Sequence, residues 1–266
     1  MLQRETLPLK HKTILITGVS RRKGIGYAIA RQCAAFGASI ITQHYQAHDE
    51  QQDWGADSLE DVSAGIKAEL IEDATHTHYS ANFEEEQAPA TLFQAIAEQG
   101  AVVDAVVCNH AMSGNDGTLM EMNALSLSRH YTVNTQSSLL LAQQYVKQFN
   151  SKTGRGKVIF MTSGQELGPM RGEIAYAAAK GALASLTETI ADELADHGVN
   201  VNTVNPGPVD TGYMTDDLWQ SLKPKFPFGR MGEGEDPARL IAWLLTDEAN
   251  WITGQVINTE GGFRRG

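Results

Sequence analysis

Tyr176 and Lys180 are the residues whose types and spacing point most directly to chemistry. They stand four apart in Tyr176-Ala177-Ala178-Ala179-Lys180, an alanine-rich stretch that predicts a helix, and at that spacing both side chains share one face. A lysine ammonium beside a phenol favours the phenolate. Moving a tyrosine from its ordinary pKa of about 10 to about 7 takes roughly 4 kcal/mol. One unit charge about 4 Å away supplies on the order of 4 kcal/mol at an effective dielectric of about 20, so one lysine suffices to make Tyr176 an acid/base near neutral pH. The segment Met161-Thr162-Ser163, thirteen residues upstream at Ser163, carries weight together with this pair.

A second constellation lies near the start of the chain. An apolar run leads into Thr17-Gly18-Val19-Ser20-Arg21-Arg22-Lys23-Gly24-Ile25-Gly26, after which an amphipathic pattern begins. Strand, glycine-rich turn and helix N-terminus together suit a dinucleotide pyrophosphate. Glycine lets the main chain approach the phosphates, and the helix dipole with its open N–H groups favours the anion. Arg21-Arg22-Lys23 is a basic run in an acidic protein, a counter-charge for the 2′-phosphate of NADP. The second strand ends Thr42-Gln43-His44-Tyr45, with no acid until Asp49 to hold the ribose 2′-hydroxyl of NAD, which again points to NADP(H), with NAD(H) left open.

These groups need a frame, and the chain alternates short apolar runs with longer periodic ones. Strands are expected at Thr13–Thr17, Ser39–Thr42, Thr75–Ala81, Val102–Cys108, Lys157–Thr162, Val199–Val204 and Gln255–Asn258. Helices are expected at Ile25–Phe36, Leu59–Ile71, Gln87–Glu98, Met122–Phe149, Ala175–His197 and Pro237–Thr246. The alternation predicts an α/β fold over residues 1–266: a single-domain Rossmann fold, a doubly wound parallel sheet of about seven strands with helices on both faces. Two irregular segments stand out: Tyr45–Ser58, and the proline- and glycine-rich stretch Pro206–Gly234, expected to be a lid or substrate loop with a short helix at Thr215–Leu222.

The composition narrows the classes. Lys+Arg 21 against Asp+Glu 32 gives a net charge of −11, which argues against a nucleic-acid partner. Cys33 and Cys108 each sit in an apolar run as small buried hydrophobes, which excludes a disulfide framework. Met1–Lys12 has no apolar targeting region and no stretch is long and apolar enough to span a membrane, so a cytoplasmic location is expected. His76 and His78 share one side of a strand but lack a matching ligand pattern, so they read as a solvent-facing pair and no metal is expected. Glu84-Glu85-Glu86 complements a helix N-terminus. Met170 and the apolar residues of Phe226–Met231 are candidates for lining a substrate pocket.

Taken together these motifs resemble the short-chain dehydrogenase/reductase family, in its Tyr-x-x-x-Lys branch, over roughly Lys12 to Phe263. Thr17, Gly18, Gly24 and Gly26 are similar to its Thr-Gly-x-x-x-Gly-x-Gly loop. Asn109-His110-Ala111-Met112 resembles its Asn-Asn-Ala-Gly motif. Asn134 matches the asparagine of the long following helix, and Pro206-Gly207-Pro208-Val209-Asp210-Thr211 its Pro-Gly-x-x-x-Thr segment. Trp251–Gln255 and Glu260-Gly261-Gly262 resemble its closing signature.

The resemblance implies that Tyr176 donates a proton to a substrate carbonyl and that Ser163 stabilises the same oxygen. Lys180 would hold the nicotinamide ribose and acidify Tyr176, and Asn134 would anchor a water of a proton relay. Val209 and Thr211 would hold the carboxamide, and Asn109 would lie near the adenosine ribose. Further implied contacts to the cofactor are Ser20, Ile25, His44, Asn82, Phe83, Pro206 and Gly207. A homo-oligomer, tetramer or dimer, is also implied. Enoyl-thioester reductases of the superfamily share a lengthened loop but separate Tyr from Lys by six residues, where this chain has Leu183. The resulting expectation is an NADP(H)-dependent carbonyl reductase resembling 3-oxoacyl-[acyl-carrier-protein] reductases. The alternatives are an alcohol dehydrogenase acting with NAD(P) on another small substrate and a non-catalytic dinucleotide sensor.

Overall fold

The apolar runs become parallel strands. A computed structural model describes residues 5–52, 54–151, 154–212 and 215–265, so the segments 45–58 and 206–234 and both chain ends lack a few positions outside the described residues. Its strands are β1 (Thr13–Thr17), β2 (Ser39–His44), β3 (His76–Ser80), β4 (Ala105–Cys108), β5 (Gly156–Met161), β6 (Val199–Asn205) and β7 (Val256–Asn258). Among the described residues they form one seven-stranded sheet in the order β3-β2-β1-β4-β5-β6-β7, each neighbouring pair parallel. The strand order reverses between β1 and β4, the crevice where open α/β sheets take their ligands.

The helices are α1 (Ile25–Ala35), α2 (Gln46–Asp49), α3 (Leu59–Lys67), α4 (Ala88–Glu98), α5 (Ala124–Tyr131), α6 (Ser137–Gln148), α7 (Ile174–Ala195), α8 (Asp216–Leu222) and α9 (Glu235–Leu244). One core layer packs α1, α3 and α9 against the sheet through Ile14, Ile16, Ile29, Ile66 and Ile241. The other packs α4, α6 and α7 through Leu15, Ile96, Leu141, Phe160 and Leu183. Both faces are therefore covered, which is why the central strands read as unbroken apolar runs.

The helix expected at Leu59–Ile71 ends at Lys67, other ends shift by one or two residues, and three further differences bear on the site. β2 runs on to His44, because Gln43 and His44 continue the ladder against Tyr79 and Ser80. β4 starts only at Ala105, since Val102 is exposed. The expected helix 122–149 is not one α-helix: Thr132–Gln136 forms a π turn between α5 and α6, and Asn134 lies in it. Such turns put the helical ladder out of step and are frequent at functional sites. Among the described residues no helix is long and apolar enough to cross a membrane.

Candidate functional site

Tyr176 and Lys180 lie in the first two turns of α7 and face one another, with Lys180 Nζ 5.8 Å from the centre of the Tyr176 ring. Lys180 is almost fully buried and donates to Met161 O at 3.0 Å. Thr162 Oγ1 donates to Lys180 O at 2.9 Å. These two bonds stitch the end of β5 to α7, and Ser163 follows directly. Burial pulls the Lys180 ammonium down to about 8, because the charged form loses its water and gains one carbonyl in exchange.

The N-terminus of α7 has no side-chain cap of its own. Its first free amides are taken by Asp116, from the loop between β4 and α5: Oδ1 accepts from Ala175 N at 3.0 Å and Oδ2 from Tyr176 N at 2.8 Å. Burial raises the Asp116 pKa, but bonds from the Tyr176, Ala175 and Gly117 amides outweigh it and hold the carboxyl below its ordinary range. The ring of the buried His130 meets the Tyr176 ring edge-on, 6.4 Å between centres. Neither Asp116 nor His130 was among the expected site residues. A capping aspartate is legible only beside its helix, and this one is sixty residues away from it.

Asn134 is buried, and its side chain clamps the same loop: Oδ1 accepts from Met112 N at 2.6 Å and Nδ2 donates to Met112 O at 3.1 Å. The amide is thus committed to the main chain, so a relay water at Asn134 would fall to its carbonyl, which also accepts from Ser138 Oγ. His110 stands where the resembled Asn-Asn-Ala-Gly motif has its second asparagine. Its Nδ1 lies 2.6 Å from Thr17 Oγ1 and its Nε2 2.7 Å from Ser137 Oγ, so the ring bridges β1 to α6. Burial, with Lys180 nearby, lowers its pKa to about 3 and keeps it neutral.

The glycine loop is built for a close main-chain approach. Gly18 has φ +72°, and a Cβ there would lie 2.7 Å from His110 Cα. A Cβ on Gly26 would lie 2.6 Å from Asn109 Nδ2, the amide that donates to Thr17 O and Gly18 O. No side chain caps α1 at Gly24 and no acid stands in its first turn. Gly24 N donates to Arg21 O at 3.0 Å, so the cradle and the uncapped, acid-free helix start fit a pyrophosphate at the N–H groups of Ile25 and Gly26.

The nucleotide end departs from expectation in one respect. Asp49 lies beyond β2 in the sequence, yet α2 carries it back to the glycine loop. There it accepts from Ser20 Oγ and pairs with Arg21 Nε at 3.2 Å. Arg21 also lies over the Trp54 ring at 5.1 Å and donates to Thr211 O at 2.7 Å. The main-chain N–H of Arg22 donates to Asp57 at 2.6 Å, and the exposed Lys23 lies 3.8 Å from the half-buried Asp210. A cavity of about 590 Å³ beside the loop is lined by Arg21, Arg22, Lys23, Arg31 and Trp54 with Asp57 and Glu235. Trp54 and Asp57 of segment 45–58 are therefore part of the wall of this cavity.

The remaining expected contacts spread along the same edge. Phe83 packs on His110 with ring centres 4.4 Å apart, and Asn82 Oδ1 accepts from Glu84 N. The His44 ring is engaged by β3, its Nε2 3.2 Å from His78 Nδ1. His76 is half-buried and bonded to Thr42 and Ser63, so only His78 of that pair is solvent-facing. Gly207, with φ +68°, and the buried Val209, bridged to Gly232, follow β6 over the cleft, where Arg21 joins the segment through Thr211. The arrangement can hold an extended nucleotide along the carboxyl edge and put a phenol, a hydroxyl and a buried ammonium at one end of it.

The chain matches the family model described as "Enoyl-(Acyl carrier protein) reductase" over residues 18–264. It is 40% identical to an uncharacterized oxidoreductase, YjdA, of Bacillus subtilis, covering 97% of this chain and 98% of that protein. It is 31% identical to the 3-oxoacyl-[acyl-carrier-protein] reductase FabG of Staphylococcus epidermidis, over 95% of this chain and 98% of that one. Among solved structures, the promiscuous reductase LugOII, described as catalysing keto-reduction at C1 in lugdunomycin biosynthesis, superposes with a TM-score of 0.82 at 29% identity, covering 96% and 98% of the two chains.

Proposed function

The chain belongs to the short-chain dehydrogenase/reductase family of oxidoreductases, and from this premise we propose that it moves a hydride between NADP(H) and a carbonyl/hydroxyl substrate. The observation that carries the reading is the Tyr176–Lys180 pair, sharing one face of α7 beside the end of β5. Tyr176 gives its proton to the substrate oxygen, and Ser163 donates a hydrogen bond to that oxygen as it gains negative charge. Lys180 holds its positive charge near the phenol and also binds the ribose. Asn134 fixes the loop at Met112, and Gly18, Gly24 and Gly26 seat the pyrophosphate. A bound nicotinamide would supply or accept the hydride.

NADP(H) is favoured by the cations around the cavity beside Arg21, Arg22 and Lys23. A second reading, NAD(H), is favoured by one observation: Asp49 pairs with Arg21 at the glycine loop, which neutralises a cation that would otherwise favour a 2′-phosphate. The substrate we favour is a small ketone or a 3-oxoacyl thioester, in keeping with the ketoreductase relatives; an alcohol dehydrogenase acting on another small substrate is the same chemistry reversed. The sensor alternative is disfavoured, because Ser163, Tyr176 and Lys180 are all retained. A homodimer or tetramer is supported by the groove of about 580 Å³ between α6 and α7, lined by Leu139, Val146, Ile190 and Leu194. A cytoplasmic setting is supported by two free, buried thiols, Cys33 and Cys108.

The test is absorbance at 340 nm with NADPH and NADH against ketones and 3-oxoacyl thioesters. The reading requires turnover by the natural chain. It also requires a loss of roughly a hundredfold or more in Tyr176→Phe with dinucleotide affinity retained. Normal turnover in that variant overturns the proton-donor role.

A further inference from the structure

The C-terminal tail folds back over the site at a place the dinucleotide does not explain. Glu260 lies beneath Gly207, where a Cβ would come within 2.8 Å of Glu260 Cα. The Glu260 carboxylate accepts from Asn205 Nδ2 at 2.8 Å and from both terminal nitrogens of Arg265. This ion pair is largely buried, with side-chain exposures of 18% for Arg265 and 8% for Glu260, so it is not a screened surface pair. The guanidinium lies over the Phe263 ring at 5.4 Å. Phe263 packs on Phe226, and Phe226 on Trp219 of α8, with ring centres 4.9 and 5.9 Å apart. Arg264 N donates to Lys225 O at 2.9 Å.

On its other side Arg265 fills the space above the loop that runs from Ser163 toward Tyr176. A Cβ on Gly164, the residue directly after Ser163, would collide with Arg265 Nη2, and a Cβ on Gly168 would lie 2.6 Å from Arg265 Cδ. Neither glycine adopts a positive φ, so the backbone does not demand glycine at either place. The Arg265 side chain, rather than main chain, is what occupies the space at both.

We propose that Arg265 is a specificity-determining residue. It is the wall of the substrate site beside Ser163, limiting the bulk a carbonyl compound can carry on that side. Its charge is balanced by Glu260, so the wall it presents is neutral and suits uncharged ketones or aldehydes. Through Phe263 and Phe226 the wall is tied to Trp219 of α8.

This assignment rests on the proposed carbonyl chemistry, and its test is a binding measurement that needs no turnover. The natural chain and Arg265→Ala, saturated with oxidised dinucleotide, are titrated with 2-butanone, acetophenone, 2-acetonaphthone and phenylglyoxylate by intrinsic fluorescence. Arg265→Ala is expected to improve binding of the naphthyl ketone at least tenfold relative to 2-butanone, with dinucleotide affinity unchanged. Gly164→Ala is expected to lower the melting temperature in the natural chain and to be nearly neutral in Arg265→Ala. The assignment is overturned by an equal change for all ketones, by no binding of any ketone, by a selective loss of phenylglyoxylate, or by a Gly164→Ala cost that is the same in both backgrounds. If the ketones separate by size but the natural chain oxidises no NAD(P)H with any of them, the proposed function falls and the wall stands.

Discussion

The carboxylate of Asp116 holds the main-chain N–H of Tyr176 at 2.8 Å across sixty residues of sequence. The same group takes the amides of Ala175 and Gly117, so one side chain fixes both the start of α7 and the turn it stands in. A negative group at this end also complements the dipole of a 22-residue helix.

Asp116→Ala leaves the first amides of α7 without an acceptor and lets Tyr176 drift. Thermal or denaturant unfolding is expected to show a loss of about 1–2 kcal/mol, the usual cost of a lost N-cap. Turnover is expected to fall more than stability predicts, by roughly 10- to 100-fold, because a displacement of about 1 Å at a reacting group is that costly. Asp116→Asn keeps one acceptor and is expected to lie between. Unchanged kcat in Asp116→Ala would remove the residue from the positioning of Tyr176.

On the proposed chemistry, Lys180 is expected to set a pH limit. Burial lowers its pKa to about 8, so the ammonium is present below that pH and lost above it. In the reducing direction Tyr176 is the better acid while Lys180 is charged. The rate at saturating substrate is therefore expected to be higher on the acid side of pH 8 and to fall above it. A profile that is flat between pH 7 and 9.5 contradicts this role for Lys180.

His110 gives the opposite kind of pH dependence, one of stability. Its pKa is about 3 in the folded protein against an ordinary 6.5, so below pH 6.5 the unfolded chain binds a proton that the folded chain does not. Stability is lost as the pH falls from 6.5 toward 3, by up to about 5 kcal/mol at the acid end. His110→Asn, which still offers a donor and an acceptor between Thr17 and Ser137, is expected to flatten the unfolding free energy between pH 6.5 and 4. An unaltered acid limb in the variant would assign the sensitivity elsewhere.

On the proposed reading, Asp49 and Arg21 are expected to decide between the dinucleotides. Asp49→Asn removes the counter-charge from Arg21 and is expected to shift preference toward NADPH by roughly tenfold, or about 1.4 kcal/mol. Replacing Arg21 and Arg22 by Ala is expected to weaken NADPH more than NADH. Titrations that show equal losses for the two nucleotides would mean that neither arginine reads the 2′-phosphate.

Much was legible in the order of residues because the signals are local. The doubly buried strands read as unbroken apolar runs, the glycines that allow close approach stand together in one turn, and Tyr176 and Lys180 share a face because 3.6 residues make a helical turn. Period and propensity fix such features within a few neighbours. The sequence by itself thus determined the doubly wound sheet, the tight glycine turn and the shared face of Tyr176 and Lys180. Tertiary structure alone decided which distant groups meet them. Asp116 caps a helix that starts far downstream, Asp49 returns through α2 to pair with Arg21, and Arg265 fills the space left by Gly164 and Gly168. Each of these contacts spans a loop whose path has no periodic signature. A carboxylate or guanidinium shows no partner in the sequence until the packed layers bring one within about 3 Å.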